Sequence, residues 1–226
     1  LYVHGGYKEM WDKPHLQDPA LPRNIAQYMR ESIDKGWTKV HPPEDRTPKA
    51  YIFTGCNPLR RWPSPQIAKK HLWPKFDVIV SVNFRMSTSS LFADYVLPVA
   101  AYYEKYGIKY GQTYVPYIIT SDKATEPLGE AKSDWEIFGL LSKTISERAK
   151  IRKIAPVRGF KDQPHDLTKV YENHTENGKY DPTDPEDPVK LMDAIFAGSP
   201  SVGADNGRDA LKMGAVPVIG TGRPSL

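Results

Sequence analysis

Three short apolar runs govern what this chain can fold into: Tyr51-Ile52-Phe53-Thr54, Asp77-Val78-Ile79-Val80-Ser81-Val82 and Tyr95-Val96-Leu97. Each has the length of a strand, and the intervals between them are long enough to hold helices. The middle run is apolar on both faces, as a strand in the interior of a parallel sheet must be. Ser64-Pro65 offers a helix N-cap followed by proline at the first helical position, which predicts a helix to about Trp73. A second helix is expected from the serine cluster at Ser87–Ser90, leading into the third run. Strand, helix, strand, helix, strand at this spacing predicts a βαβαβ unit.

The fold class is therefore α/β: a Rossmann-like parallel sheet flanked by helices on both faces, with a loop-rich C-terminal extension. Residues 1–50 are aromatic, charged and proline-broken, and read as a connecting segment packing on the α/β domain, with one helix around Pro22–Lys35. The domain proper spans 51–150. It closes on a helix opened by Ser133 and Glu136, which match a capping box, with Phe138, Leu141, Ile145 and Ala149 as the expected apolar stripe. Residues 151–226 are polar and proline-rich. One helix stands out there, near 188–197, with Asp187-Pro188 at its start and Gly198 after its end. The chain opens on Leu1, and is read as a piece of a longer polypeptide.

Composition removes several function classes. The net charge is only +4, and no basic run is interleaved with aromatics, which argues against nucleic acid as a partner. The single cysteine, Cys56, supports neither a disulfide framework nor a cysteine-built metal site. The six histidines show no pair at ligand spacing. No apolar run has the length of a membrane span, so direct membrane insertion is not expected.

Ligands of open α/β sheets bind beyond the carboxyl ends of the strands. Two such ends are visible, Gly55-Cys56-Asn57 and Val82-Asn83. Glycine allows close backbone approach, and the asparagine amides can both donate and accept. The usual phosphate fingerprints are missing: Gly220-Thr221-Gly222 lacks a third glycine and a preceding strand. From spacing alone, a nucleotide-like ligand and a plain turn both stay open. Asp94 reads as a turn carboxylate capping adjacent backbone, Lys105 as a solvated lysine, and Asp134 as a carboxylate favoured in a first helical turn. Ser87, Ser89 and Ser90 have no neighbouring histidine to act as base, so none reads as a nucleophile.

Four segments in order carry a resemblance: GCNP after the first strand, VN after the second, ADYVLP followed by EK, and PLGEAKSDWEIF. Together, over roughly Tyr51 to Ala149, they resemble the molybdopterin oxidoreductases of the dimethyl sulfoxide reductase family. LWPKFDVIVSVNFRMSTSSLFADYVLP and YEKYGIKY, and less distinctively VRGFKDQPHDL, are similar to the branch of nitrate reductase and nitrite oxidoreductase. Selenate, chlorate and perchlorate reductases and dimethyl sulfide and ethylbenzene dehydrogenases are neighbours of that branch.

The resemblance implies a large-subunit domain holding one of two molybdopterin guanine dinucleotides of a molybdenum cofactor. It places Gly55 and Asn57 against the dinucleotide, Val82 and Asn83 along the nucleoside, Lys105 facing the cofactor's anionic or polar part, and Asp134 near the guanosine. A carboxylate can accept both N–H groups on guanine's edge, which adenine does not offer. Many members carry Asp where this chain has Asn83. The molybdenum ligand and the [4Fe–4S] cysteines of the family lie upstream of this region. The implied activity is molybdenum-dependent redox of a small substrate, such as nitrate, nitrite or another oxyanion, or hydroxylation of a hydrocarbon. The implied partners are an iron–sulfur electron-transfer subunit and, in many members, a haem or membrane-anchor subunit. The implied location is the cytoplasmic membrane of a bacterium or archaeon, on its periplasmic or cytoplasmic side. Two other readings are a free-standing nucleotide-binding module and a non-catalytic scaffold fragment of the same fold.

Overall fold

The computed structural model describes residues 22–37, 47–110, 116–158 and 163–218. Much of the expected connecting segment, together with Gly220-Thr221-Gly222, His4, His15 and His41, lies outside the described residues. Helix α1 (Ile25–Asp34) begins at Asn24, whose side chain accepts the Ala26 N–H at 2.7 Å and so satisfies one of the open donors of the first turn.

The three apolar runs form one parallel sheet in the order β1 (Ala50–Thr54), β2 (Val78–Asn83), β3 (Tyr95–Pro98), with Thr54 beside Val82 and Asn83 beside Pro98. The period-2 alternation of β2 sorts its side chains onto two layers. Ile79 packs with Phe53, Leu59 and Trp73 on one face, whereas Val80 and Val82 meet Val99 and Ile137 on the other. β2 is thus the interior strand that its two apolar faces demanded. Asp94, expected to cap adjacent backbone, instead ties two strands together: its carboxylate accepts the Ile79 N–H at 2.7 Å and its own N–H bonds to the Ile79 carbonyl at 2.9 Å, which fixes the entry into β3.

The first crossover departs from expectation. Ser64 lies in the left-handed region (φ 55°) and makes no capping bond. The helix that follows changes winding, from one α turn (Pro65–Ile67) through a π stretch (Ala68–Leu72) to a 3₁₀ turn (Trp73–Lys75). Pro74 has no N–H to offer and its ring disfavours a regular α-helix at that point, so the chain rewinds around it. Nor do the serines nucleate a helix: only a 3₁₀ turn, Ser90–Phe92, forms. Their hydroxyls bond to each other instead, Ser90 with both Ser81 and Ser87 at 2.8 Å.

A short helix α2 (Pro58–Arg61) follows β1, and α3 (Asp134–Arg152) follows the sheet. Ser133 caps α3 by accepting the Glu136 N–H at 3.1 Å. The face that α3 buries follows the expected apolar stripe only at Ala149. Leu141 and Ile145 stay 37% and 38% exposed, while Gly139, Ser142 and Ser146 are buried in their place. Small residues let the neighbouring backbone come close: the Ser146 hydroxyl accepts the Tyr171 N–H at 2.9 Å from helix α4 (Val170–His174).

The C-terminal extension holds more regular structure than its composition suggests, and part of it joins a second sheet with strands of the preceding domain. Strands β4 (Gly107–Tyr110) and β5 (Tyr117–Ser121) form an antiparallel sheet with a late strand (Ala215–Pro217). Helices α5 (Asp187–Ala197) and α6 (Gly207–Met213) close its core, in which Ile118, Met192, Phe196, Ala210 and Val216 are buried together. A two-stranded ribbon pairs Val157–Arg158 with Pro164–His165. Among the described residues no helix is long and apolar enough to cross a membrane.

Candidate functional site

The carboxyl edge of the parallel sheet is built by local bonds. The Gly55 N–H continues the ladder to the Val82 carbonyl at 3.1 Å, and Gly55 then turns the chain out of the sheet at φ +60°, a region that glycine enters without steric cost. Asn83 is buried and donates its side-chain amide to the Cys56 carbonyl at 3.3 Å. An aspartate in its place would have no donor for that carbonyl. Asn57 precedes α2 without capping it. Its Oδ1 accepts both the N–H (3.2 Å) and the hydroxyl (2.7 Å) of Ser89, and that hydroxyl in turn accepts the Leu59 N–H at 2.8 Å. Asn57 therefore ties the loop after β1 to the loop after β2. Val82 turns its side chain into the core, 1% exposed, and its carbonyl is taken by Gly55. It supports the edge from beneath and presents no side chain to it.

The start of α3 is brought over this edge by backbone pairing. The Lys132 N–H bonds to the Pro98 carbonyl, and the Lys132 carbonyl accepts the Ala100 N–H at 2.8 Å. Asp134, two residues on, then reaches across to β1, where the Thr54 hydroxyl donates to its Oδ1 at 3.1 Å. Its Oδ2 is paired with the Lys105 ammonium. Glu104 and Lys105 part company. The Glu104 carboxylate accepts the Ala101 N–H at 2.8 Å and closes a turn, while Lys105 points the other way, to Asp134. Lys105 is thus neither a solvated surface lysine nor a partner of Glu104.

Beside this ion pair lies a cleft of about 870 Å³, within the size range of small-molecule sites. Lys105, Asp134 and Trp135 line it, together with Tyr102, Tyr103, Tyr106 and acidic Asp184. Trp135 stacks on His174, ring centroids 4.2 Å apart, and burial pushes the His174 imidazole below its ordinary value. Of the six residues singled out in the sequence, Lys105 and Asp134 meet at the cleft, whereas Gly55, Asn57, Val82 and Asn83 shape the adjoining sheet edge. Thr54 was not anticipated. Its only sequence signal is its place as the last residue of the first strand. Among the described residues no group of His, Cys, Asp and Glu could hold a metal ion. The buried serines are engaged in bonds to one another and to Asn57. The arrangement can hold and orient a ligand that carries both N–H donors and anionic groups.

The molybdopterin oxidoreductase family model matches residues 24–144, which include the parallel sheet, the serine loop and the first half of α3. The chain belongs to the molybdopterin oxidoreductases. It is 35% identical to the respiratory nitrate reductase subunit alpha of Haloferax mediterranei over 182 residues, 76% of this chain and 18% of that protein. It is 31% identical to the perchlorate reductase subunit alpha of Dechloromonas aromatica, over 75% of this chain and 19% of the relative. It is 28% identical to the dimethylsulfide dehydrogenase subunit alpha of Rhodovulum sulfidophilum, over 78% of this chain and 20% of the relative. The molybdopterin oxidoreductase chain thus spans about a fifth of the length of these relatives. Its family implies a molybdenum–molybdopterin cofactor. The groups at the cleft fit the polar, anionic end of such a cofactor: an oriented carboxylate, an ammonium beside it, and a cleft walled by aromatic rings.

Proposed function

We propose that this chain is a cofactor-holding portion of the large subunit of a molybdenum-dependent oxidoreductase, and that the cleft beside α3 takes the guanine dinucleotide end of the cofactor. The observation that carries the reading is Asp134. Its carboxylate is aimed by Thr54 from the end of β1 and opens on the cleft beside Lys105. A carboxylate so placed accepts the two N–H groups of a guanine edge, and Lys105 meets the anionic pyrophosphate. Gly55 and Asn83 belong to the carboxyl edge of the sheet next to Thr54, where ligands of such sheets bind, and we assign them to the part of the dinucleotide that extends past the cleft. The cofactor, when bound, supplies the redox chemistry at molybdenum, and the protein contributes binding and orientation.

The substrate class follows the relatives: a small oxyanion such as nitrate or perchlorate, with hydrocarbon hydroxylation as the neighbouring chemistry. Electrons pass through a [4Fe–4S] cluster held elsewhere in the polypeptide to an iron–sulfur subunit, joined by a haem or membrane-anchor subunit at the cytoplasmic membrane. The relatives named alpha subunits support the multi-subunit part of this reading.

The test is elemental and chemical. The full-length parent, purified from its native host, is assayed for molybdenum by mass spectrometry and for GMP released by acid hydrolysis. About two GMP per molybdenum are expected for a bis-dinucleotide cofactor. An Asp134→Ala variant that retains full GMP loading would refute the assignment of the guanine to Asp134. Protein isolated intact with neither metal nor GMP would make the chain a scaffold that shares only the fold.

A further inference from the structure

The Lys105–Asp134 ion pair closes off two of the groups that a ligand of the cleft would use, and the charges around it show why it is the one to open. Glu136 is held by Lys132 at 2.6 Å, Lys123 by Glu126 at 2.6 Å, Asp184 by Lys190 at 3.5 Å, and Glu104 by the Ala101 N–H at 2.8 Å. Lys109 lies over the Tyr102 ring at 4.7 Å. These contacts join residues close in sequence or settle a charge on an aromatic face. Lys105 and Asp134 instead come from separate elements and meet only at the cleft.

The two hydrogen bonds to Asp134 differ in kind. Thr54 is a short side chain on a sheet strand, so its hydroxyl cannot follow a moving partner far. Lys105 carries its ammonium on a flexible four-carbon stem. Its backbone is anchored next to the Ala101–Glu104 turn, whose ends exchange bonds at 2.8 and 3.0 Å. The Lys105 and Asp134 side chains are 20% and 39% exposed. A pair open to water to that degree contributes little to stability and is readily exchanged. A carboxylate offers about four acceptor positions. Thr54 uses only one on Oδ1, so a planar edge with two N–H donors can take one oxygen each while Thr54 stays in place, whereas an ammonium left on Oδ2 would crowd the second N–H and set its positive charge against it.

We propose that the pair is an exchangeable placeholder: Thr54 is a positioning residue that keeps the Asp134 carboxylate aimed at the cleft, and Lys105 leaves Asp134 when a guanine edge arrives and moves to the ligand's phosphate. The inference rests on the guanine reading of the cleft given above. It adds that one cation pairs either with Asp134 or with the ligand's phosphate, so the base and the phosphate are recognised in a linked step. Specificity for guanine then depends on Thr54, and the phosphate requirement depends on Lys105.

The test uses the full-length protein isolated without its cofactor, titrated by calorimetry with guanosine, GDP, ADP and inosine diphosphate, which lacks guanine's amino group. In Lys105→Met the competitor for Asp134 is gone and the phosphate contact is lost. Guanosine binding is expected to tighten by about threefold, while GDP binding weakens by about tenfold. Opposite signs for the two ligands are the signature of exchange. Guanosine binding that is unchanged or weaker in this variant overturns the exchange and leaves Lys105 as a fixed support. Thr54→Val is expected to reduce the preference for GDP over inosine diphosphate by about tenfold, with recovery in Thr54→Ser. An unaltered preference overturns the role given to Thr54. Wild-type protein that binds ADP as tightly as GDP removes the guanine reading itself, a result separate from either failure above.

Discussion

Replacing Ser89 by alanine tests whether the carboxyl edge of the sheet is held as described. The Ser89 hydroxyl is fully buried and works in both directions, donating to Asn57 Oδ1 at 2.7 Å and accepting the Leu59 N–H at 2.8 Å. Asn57 keeps one donor after the change, the Ser89 N–H at 3.2 Å. The Leu59 N–H, on a residue that is itself buried, keeps none of its side-chain contact. A typical net hydrogen bond contributes about 1 kcal/mol, and a buried donor left unsatisfied costs about 1–3 kcal/mol. The sum is about 2–4 kcal/mol of local stability. In a large polypeptide that cost is read better as local opening than as a melting temperature. Amide hydrogen exchange at Leu59 in the full-length protein should accelerate by at least about thirtyfold, which corresponds to about 2 kcal/mol. The acceleration should be confined to the segments around 55–61 and 87–90. Ser87→Ala serves as the comparison, since that hydroxyl is only half-buried and shared with Ser90. A change below about threefold at Leu59 in Ser89→Ala, or an equal change in Ser87→Ala, would refute the claim that Ser89 holds the loop.

Three further outcomes follow from the same contacts. Gly139→Ala gains about 1 kcal/mol of helix propensity, but its new Cβ would lie 2.3 Å from both Cβ and Cγ of Pro182; overpacking of about 1–3 kcal/mol should prevail, and limited proteolysis should cut the 175–186 segment faster. The His174 imidazole, held neutral by burial against Trp135, has its pKa below the ordinary 6.5. The unfolded segment therefore binds more protons than the folded one just below that value, so docking of α4 on α3 should weaken as pH falls from 6.5 towards the folded pKa, and His174→Phe should flatten that dependence in an exchange experiment. Asp187 accepts the Asp181 N–H and the Lys190 ammonium at the first turn of α5, the latter contact being the main one that lowers its pKa. Asp187→Ala should loosen the 181–190 segment by about 1–3 kcal/mol, visible as faster amide exchange at Asp181, while unchanged exchange there would show that the carboxylate is idle.

What could be read in the sequence is what neighbouring residues decide among themselves. The alternation of Val78 to Val82 sorted side chains onto two layers and made β2 the interior strand. Ser133 announced a helix start because a side-chain oxygen three residues from an open N–H closes a local bond. Asp94 was legible as a bonded carboxylate but not its partner, since the N–H that it accepts belongs to Ile79 on the neighbouring strand.

Local pattern gave no reliable guide where long-range contact chooses. The apolar stripe of α3 stayed half-exposed because a row of small residues allowed a closer approach by α4, and closeness of packing outweighed hydrophobicity. The second sheet needed β4 and β5, from the middle of the described chain, to meet the strand at Ala215–Pro217 near its end, a pairing that no short window contains. The site shows the same division. Local pattern marked the two sheet ends but read Lys105 as a solvated lysine and Asp134 as a first-turn carboxylate, and it was the resemblance to the family that made them separate candidates. Only the tertiary structure set Thr54, Lys105 and Asp134 on one another, because each bond requires residues remote in sequence to be carried to the same edge by the sheet beneath them.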